Sequence, residues 1–300
     1  MVIDCISDYK NILNQIQEKK KIKDIFLSSS IDKFKITKQR DGNYPAIITI
    51  SGWRSQDKDN RKDWEESILK IYPDREWFHL EWNSEKIPFI DKAVINNMPS
   101  TDIKTEKQKK NAFFKRVFFV TSLVASSVIP IVPLVSAVST IATPLGYTRL
   151  LNNYWHNAVR NSKLAGDNLA QVLNACKNKD FILVGHSLGA RVIFNCLSYL
   201  SEKGLHSNIF EIHLLGGAVS SNPKKWLQTS LTVKNKIYNY YSDNDNVLKT
   251  AYRASMLSTE PIGLYEIANK KVINRNTTIY IDGHTEYIKN FSLIKNGWYR

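Results

Sequence analysis

The sequence predicts an α/β fold, a mainly parallel, doubly wound sheet with a hydrophobic helical insertion. Three observations carry that prediction. Short β-favouring runs recur along the chain, helical segments separate most of them, and one run ends in a glycine-flanked serine that opens directly into an amphipathic helix.

Taken in order, residues 4–27 repeat apolar positions at helical spacing, with Ile6, Tyr9, Ile12, Leu13 and Ile16 on one side. They read as a peripheral amphipathic helix, so residues 1–44 form an N-terminal helical cap and 45–300 the main domain. Pro45–Ile50 is a buried-strand run that ends in Ser51-Gly52-Trp53. A helix carrying Trp64, Ile68 and Ile71 follows, then a second strand over Trp77–Trp82. The third strand is Phe181–Val184. Ile209–Leu215, Lys236–Tyr241 and Thr277–Ile281 complete the set. Alternation of this kind favours parallel strands with helical crossovers.

The bulk numbers exclude several classes. Three hundred residues with 43% hydrophobic and 23% charged content suit one large globular domain. Cys5, Cys176 and Cys196 are widely spaced and include no C-x-x-C, so reduced thiols in a reducing compartment are expected, without a disulfide framework or a zinc site. The net charge of +14 accompanies a general abundance of lysine and no nucleic-acid recognition motif. Attraction to anionic membranes is the better use of that charge. The start, Met1-Val2-Ile3-Asp4-Cys5, has no basic region ahead of an apolar core, so a cytoplasmic origin is expected.

One segment breaks the α/β rhythm. Val117–Thr148 contains no charged residue, and Lys104, Lys107, Lys109, Lys110, Lys115 and Arg116 stand just ahead of it. Residues 104–148 therefore form a basic-flanked hydrophobic insertion. A spanning helix needs about 20 apolar residues, but Pro130, Pro133 and Pro144 divide the segment. A kinked transmembrane helix, a re-entrant hairpin in one leaflet and a buried helical lid over the site are the three arrangements it allows. The basic flank favours insertion from the cytoplasmic side.

The serine turn is Gly185-His186-Ser187-Leu188-Gly189, between the strand Phe181–Val184 and a helix with Val192, Ile193, Cys196, Leu197 and Leu200 at helical spacing. That is the nucleophile elbow of the α/β-hydrolase fold. Residues two before and two after the serine come close together there, so both must be small. A serine hydroxyl needs a histidine to take its proton and an acid to orient that histidine. In this fold the order along the chain is serine, acid, histidine, each beyond the end of a strand. His284 follows the run Thr277–Ile281, whereas His79 and His213 fall within strands, His156 in a helix and His206 just after one. His284 is the candidate base. Asp243 and Asp245 both lie on the loop after Lys236–Tyr241, and either satisfies the order. That loop lacks the ligand pattern of a calcium site, because Val247 and Leu248 interrupt it. The backbone N–H of Leu188 is one expected oxyanion donor, and Gly52 or Trp53 supplies the other.

These motifs together resemble a known family. Ser51-Gly52-Trp53, Leu80-Glu81-Trp82, Asn161–Gly166, Gly185–Ile193, Leu215-Gly216-Gly217-Ala218, Trp226, Asn239-Tyr240-Tyr241-Ser242 with Asp245, Val247 and Leu248, Tyr252-Arg253, and Gly283-His284 with Tyr287 are similar to the family of transmembrane and coiled-coil domain proteins, also described as domain of unknown function 726. The resemblance runs from about Pro45 to Tyr287. It implies an α/β-hydrolase fold, a membrane-associating insertion before the elbow, a triad of Ser187, Asp245 and His284, and a lipase-like activity. The chain has no long N-terminal coiled coil, and Asn246 stands where relatives often carry tryptophan.

The expected function is a serine ester hydrolase, a lipase or phospholipase at the cytoplasmic side of a membrane, with no metal or organic cofactor. Its partners are a lipid or other ester substrate and the membrane, with no specific nucleic acid. The rival readings are a catalytically silent membrane-tethered trafficking protein, a soluble esterase and a membrane-damaging lipase effector.

Overall fold

A computed structural model describes residues 6–20, 33–52, 61–84, 144–252 and 260–297. Trp53 and residues 104–143 of the hydrophobic insertion lie outside the described residues. Within them the elements are α1 (Tyr9–Lys20), β1 (Lys35–Arg40), β2 (Asn43–Ile50), α2 (Arg61–Ile71), β3 (Arg75–Glu81), α3 (Pro144–Ala175), β4 (Phe181–His186), α4 (Leu188–Glu202), β5 (Ile209–Leu215), α5 (Pro223–Thr229), β6 (Ile237–Tyr241), β7 (Val272–Asn276) and α6 (Phe291–Asn296).

The seven strands form one sheet in the order β1-β3-β2-β4-β5-β6-β7. β1 runs antiparallel to β3. Every other neighbouring pair is parallel. This is the α/β-hydrolase topology, with the serine elbow after the central strand β4. All six residues of β4 are buried, which is what helices on both faces of a parallel sheet produce. Successive side chains go to opposite faces. Phe181 and Leu183 join Leu169, Leu173 and Val192 in one core. Ile182 and Val184 join Trp64, Ile68, Phe291 and Ile294 in the other.

α3 crosses back to feed β4, so its amino end stands at the carboxyl edge of the sheet, the side that carries the elbow. It packs along α4 through Gly166, where an added Cβ would lie 2.5 Å from Asn195 Cβ. Asn195 Nδ2 also donates to Ser162 Oγ at 3.4 Å. Among the described residues no helix is long and apolar enough to cross a membrane.

Three features differ from what the sequence predicts. The amphipathic helix near the N-terminus is there, with Tyr9 and Leu13 buried, but the range 1–44 also supplies β1 as an edge strand. β1 alternates only weakly and is polar (Lys35, Lys38, Gln39, Arg40), which suits a sheet edge and hides it from a search for apolar runs. The last strand is Val272–Asn276 and not Thr277–Ile281. Asn276 Oδ1 instead accepts from the Thr278 N–H at 3.0 Å and from Thr278 Oγ1 at 2.6 Å, and Ile281 N–H donates to Thr277 O at 3.0 Å. Asparagine and threonine have closed a turn where β-branched residues suggested a strand, and Ile279 is left 82% exposed. Finally, Cys176 is disulfide-bonded where a reduced thiol is expected, while Cys196 is a buried free thiol.

Candidate active site

The elbow is strained in the way its sequence requires. Ser187 has φ 56°, the one positive value among the described non-glycine residues. A side chain at Gly185 would come within 2.7 Å of the Gly189 backbone, and one at Gly189 would collide with Ile50 O. Two bonds to the Ser187 carbonyl hold the turn: Ala190 N–H donates to it at 3.1 Å and Ala218 N–H at 3.0 Å. Arg191 in turn donates from Nε to Ala218 O at 2.7 Å. The arginine quoted in the sequence motif therefore ties the loop after β5 to the elbow.

Above this turn three side chains converge. His284 Nε2 lies 2.8 Å from Ser187 Oγ, and His284 Nδ1 lies 2.6 Å from Asp245 Oδ2. Asp245 is fully buried, and its Oδ1 accepts from the Leu248 N–H at 3.0 Å. Both carboxylate oxygens are thus engaged, one on the base and one on its own loop. Asp243 is exposed, and its N–H donates to Thr278 Oγ1 at 3.0 Å. The loop that carries the acid is pinned to the turn before His284, since Ser242 Oγ donates to Ile281 O at 3.0 Å and Asn244 Nδ2 to Thr278 O at 3.0 Å.

The loop after β2 closes the other side. A Cβ on Gly52 would lie 2.7 Å from Ser187 Cβ and 3.2 Å from Ser187 Oγ, so only glycine lets this backbone approach the hydroxyl. Two buried tryptophans hold the loop there. Trp64 Nε1 donates to Ser51 Oγ at 2.9 Å and Trp82 Nε1 to Ser51 O at 3.0 Å. Leu188 is the first residue of α4, where the backbone N–H has no partner within the helix. Gly52 and Leu188 therefore flank the hydroxyl, while Trp53 is outside the described residues.

His186, given no role by the sequence reading, belongs to the site as well. Its Nε2 lies 2.8 Å from the carbonyl oxygen of His284. A carbonyl only accepts, so Nε2 carries the proton in that contact. The two imidazole rings lie 4.8 Å apart. Burial, and then the neighbouring His284, push the His186 pKa down to about 3, so the ring is neutral. His213, by contrast, is structural. Its Nε2 lies 2.9 Å from Glu211 Oε1, its Nδ1 3.0 Å from Tyr240 OH, and its ring stacks on Tyr238 at 5.0 Å. Among the described residues no cluster of His, Cys, Asp or Glu could hold a metal ion.

Comparison with known proteins agrees with the motifs. The chain is 31% identical over 250 residues to the transmembrane and coiled-coil domain-containing protein STS1 of Oryza sativa subsp. japonica, an alignment covering 82% of this chain and 35% of that one. It is 28% identical over 252 residues to "Probable lipase MIL1" of Saccharomyces cerevisiae, covering 81% of this chain and 21% of that one. The chain thus spans about a third or less of the length of these relatives. Among solved structures it is similar to alpha/beta hydrolase domain-containing protein 10 from mouse, with TM-score 0.38 and 9% identity over 88% of this chain and 92% of that one. The sequence model of one family, "Protein of unknown function (DUF726)", matches residues 14–296, and the chain belongs to that family.

Proposed function

We propose that this protein is a serine hydrolase that cleaves carboxylic esters, acting as a lipase or phospholipase at a membrane. The observation that carries the reading is the unbroken chain from Ser187 Oγ through His284 to Asp245, at 2.8 and 2.6 Å. In it Ser187 Oγ attacks the ester carbonyl carbon as His284 Nε2 takes the hydroxyl proton. The oxyanion meets the N–H of Leu188 and a second N–H from Gly52 or Trp53. On collapse the ester C–O bond breaks, and His284 gives its proton to the departing alcohol. Water, activated by the same imidazole, then releases the acyl group from Ser187. Asp245 keeps the Nδ1–H tautomer in place throughout, so that Nε2 presents its lone pair to Ser187.

The lipid part of the reading has separate support. Relatives are named as a transmembrane protein and as a probable lipase. The uncharged stretch Val117–Thr148 leads into α3, whose amino end stands on the same edge of the sheet as Ser187. An apolar segment attached there would bring the serine to the bilayer surface.

Labelling with a fluorophosphonate probe, alongside turnover of a panel of lipid esters, tests the reading. Wild-type protein should label and hydrolyse. Ser187→Ala should not label, and its turnover should fall by about 10⁴-fold or more. Equal labelling of the two proteins would remove the proposal.

A further inference from the structure

Beyond the triad, the residue just before the nucleophile makes contacts of its own with the base. His186 sits at the end of β4, 8% exposed, and turns away from Ser187 toward the loop that carries the base. Its Nε2–H reaches the main-chain carbonyl of His284 at 2.8 Å, and its ring lies against the His284 ring at 4.8 Å with a 40° tilt. Tyr287 closes the other side, with its ring 6.0 Å from His186 and 6.5 Å from His284. The base is thereby held at three points: by Asp245 at Nδ1, by the His186 bond at its carbonyl, and by the two rings packed beside its imidazole.

The hold on the carbonyl matters because His284 comes from irregular backbone. Residues 277–290 contain no helix or strand, and Gly283, immediately before the base, has open space where a Cβ would stand. A loop of this kind needs long-range bonds to fix one residue. We infer that His186 is a positioning residue for the base, its imidazole N–H clamping the backbone of His284 so that Nε2 stays on Ser187 Oγ. A neutral ring makes this bond without adding charge beside the base. A charged His186 would put a second cation beside the imidazolium that forms in each half-reaction, and the groups facing the two rings (Ser187, Asp245, Tyr287) offer one carboxylate between them.

This inference rests on the triad reading above and makes a separate demand. The two jobs of the imidazole can be divided, since phenylalanine keeps a ring without the N–H and glutamine places an amide N–H near the position of Nε2. With a short-chain p-nitrophenyl ester, His186→Phe should lower kcat about 10- to 100-fold with KM within twofold of wild type, as misplacement of a catalytic group does. His186→Gln should recover most of that loss. Fluorophosphonate labelling of Ser187 should slow by the same factor in the phenylalanine variant. Thermal melts accompany each variant. If His186→Phe does not fold, His186→Ala takes its place with the same split expected. Wild-type kcat in the folded Phe or Ala variant overturns the inference, and so does a glutamine variant as slow as the phenylalanine one. Ser187→Ala is measured in parallel. Full turnover there defeats the triad reading itself, whereas an inactive Ser187→Ala beside a fully active His186→Phe defeats the clamp alone.

Discussion

Asp245 and His284 are 39 positions apart in sequence and share a 2.6 Å contact between Oδ2 and Nδ1, with the Asp245 side chain fully buried and the imidazole 10% exposed. Asp243, two positions away on the same loop, faces solvent. The sequence order of an α/β-hydrolase permits either acid. The difference between them is made by local bonds, because the Leu248 N–H takes Asp245 Oδ1 and turns the carboxylate inward.

Asp245→Asn should therefore lower kcat by about 10⁴-fold, since an amide favours the wrong imidazole tautomer. Asp243→Asn should stay within about twofold of wild type, as an exposed side chain outside such a network does. Steady-state ester hydrolysis by the two variants decides the matter. A large loss in Asp243→Asn with Asp245→Asn active would reverse the assignment.

Ser187 is held at φ 56°, which costs a residue with a Cβ roughly 1 kcal/mol or more and a glycine far less. Ser187→Gly should then be more stable than Ser187→Ala, which keeps the strain, by about 1 kcal/mol. Both variants should be inactive. Urea unfolding read by tryptophan fluorescence compares them, and a glycine variant equal to or weaker than the alanine one would show that the turn stores no strain.

Much of this architecture was legible in the sequence because it depends on local pattern. β2, β3, β4 and β5 are apolar runs buried on both faces, and the elbow announces itself through two glycines whose side-chain space is occupied by backbone. The parts that were not legible depend on long-range bonds or on polar residues. β1 is a charged edge that pairs with β3 across an intervening strand and helix. Thr277–Ile281 has strand composition, yet Asn276 closes it into a turn. His186 occupies the variable position of the motif, where residue type carries no rule. Only the arrival of His284, 98 positions later, gives it a partner. The adjacency of two histidines across the elbow was the signal available, and it becomes readable once the base is assigned.

Two buried histidines set a pH dependence of stability. His186 and His213 both have pKa values lowered chiefly by burial, so the unfolded chain binds their protons more readily than the folded one. Their contribution is fully present above the unfolded value of about 6.5 and is lost as pH falls below it toward the folded values. Between pH 6 and pH 5 the unfolding free energy should drop by up to about 1.4 kcal/mol for His186, whose folded value is about 3, and His213 should add a loss in the same direction. Urea titrations at pH 7.5, 6 and 5 measure this. His213→Phe, which removes one of the two groups, should flatten the slope, and a pH-independent midpoint would mean that neither histidine is held neutral by the fold.

The uncharged stretch Val117–Thr148 should be what keeps the protein on membranes. Its sequence contains no charge over that length, and residues 117–143 of it lie outside the described structure. Val124→Lys and Val135→Asp should each oppose insertion by roughly 3 kcal/mol. Apolar burial is not screened by salt, whereas attraction between the preceding lysines and anionic lipid is. Wild-type protein should accordingly stay with the membrane fraction through a 1 M-scale salt wash, and the doubly charged variant should be released into the supernatant. The variant should retain hydrolysis of a soluble short-chain ester, because Ser187, His284 and Asp245 are bonded to one another and carried by β4, α4 and the loops after β6 and β7. Release of the wild-type protein by salt alone would assign the attachment to the basic flank. Loss of soluble-ester turnover in a folded variant would instead make the segment part of the site.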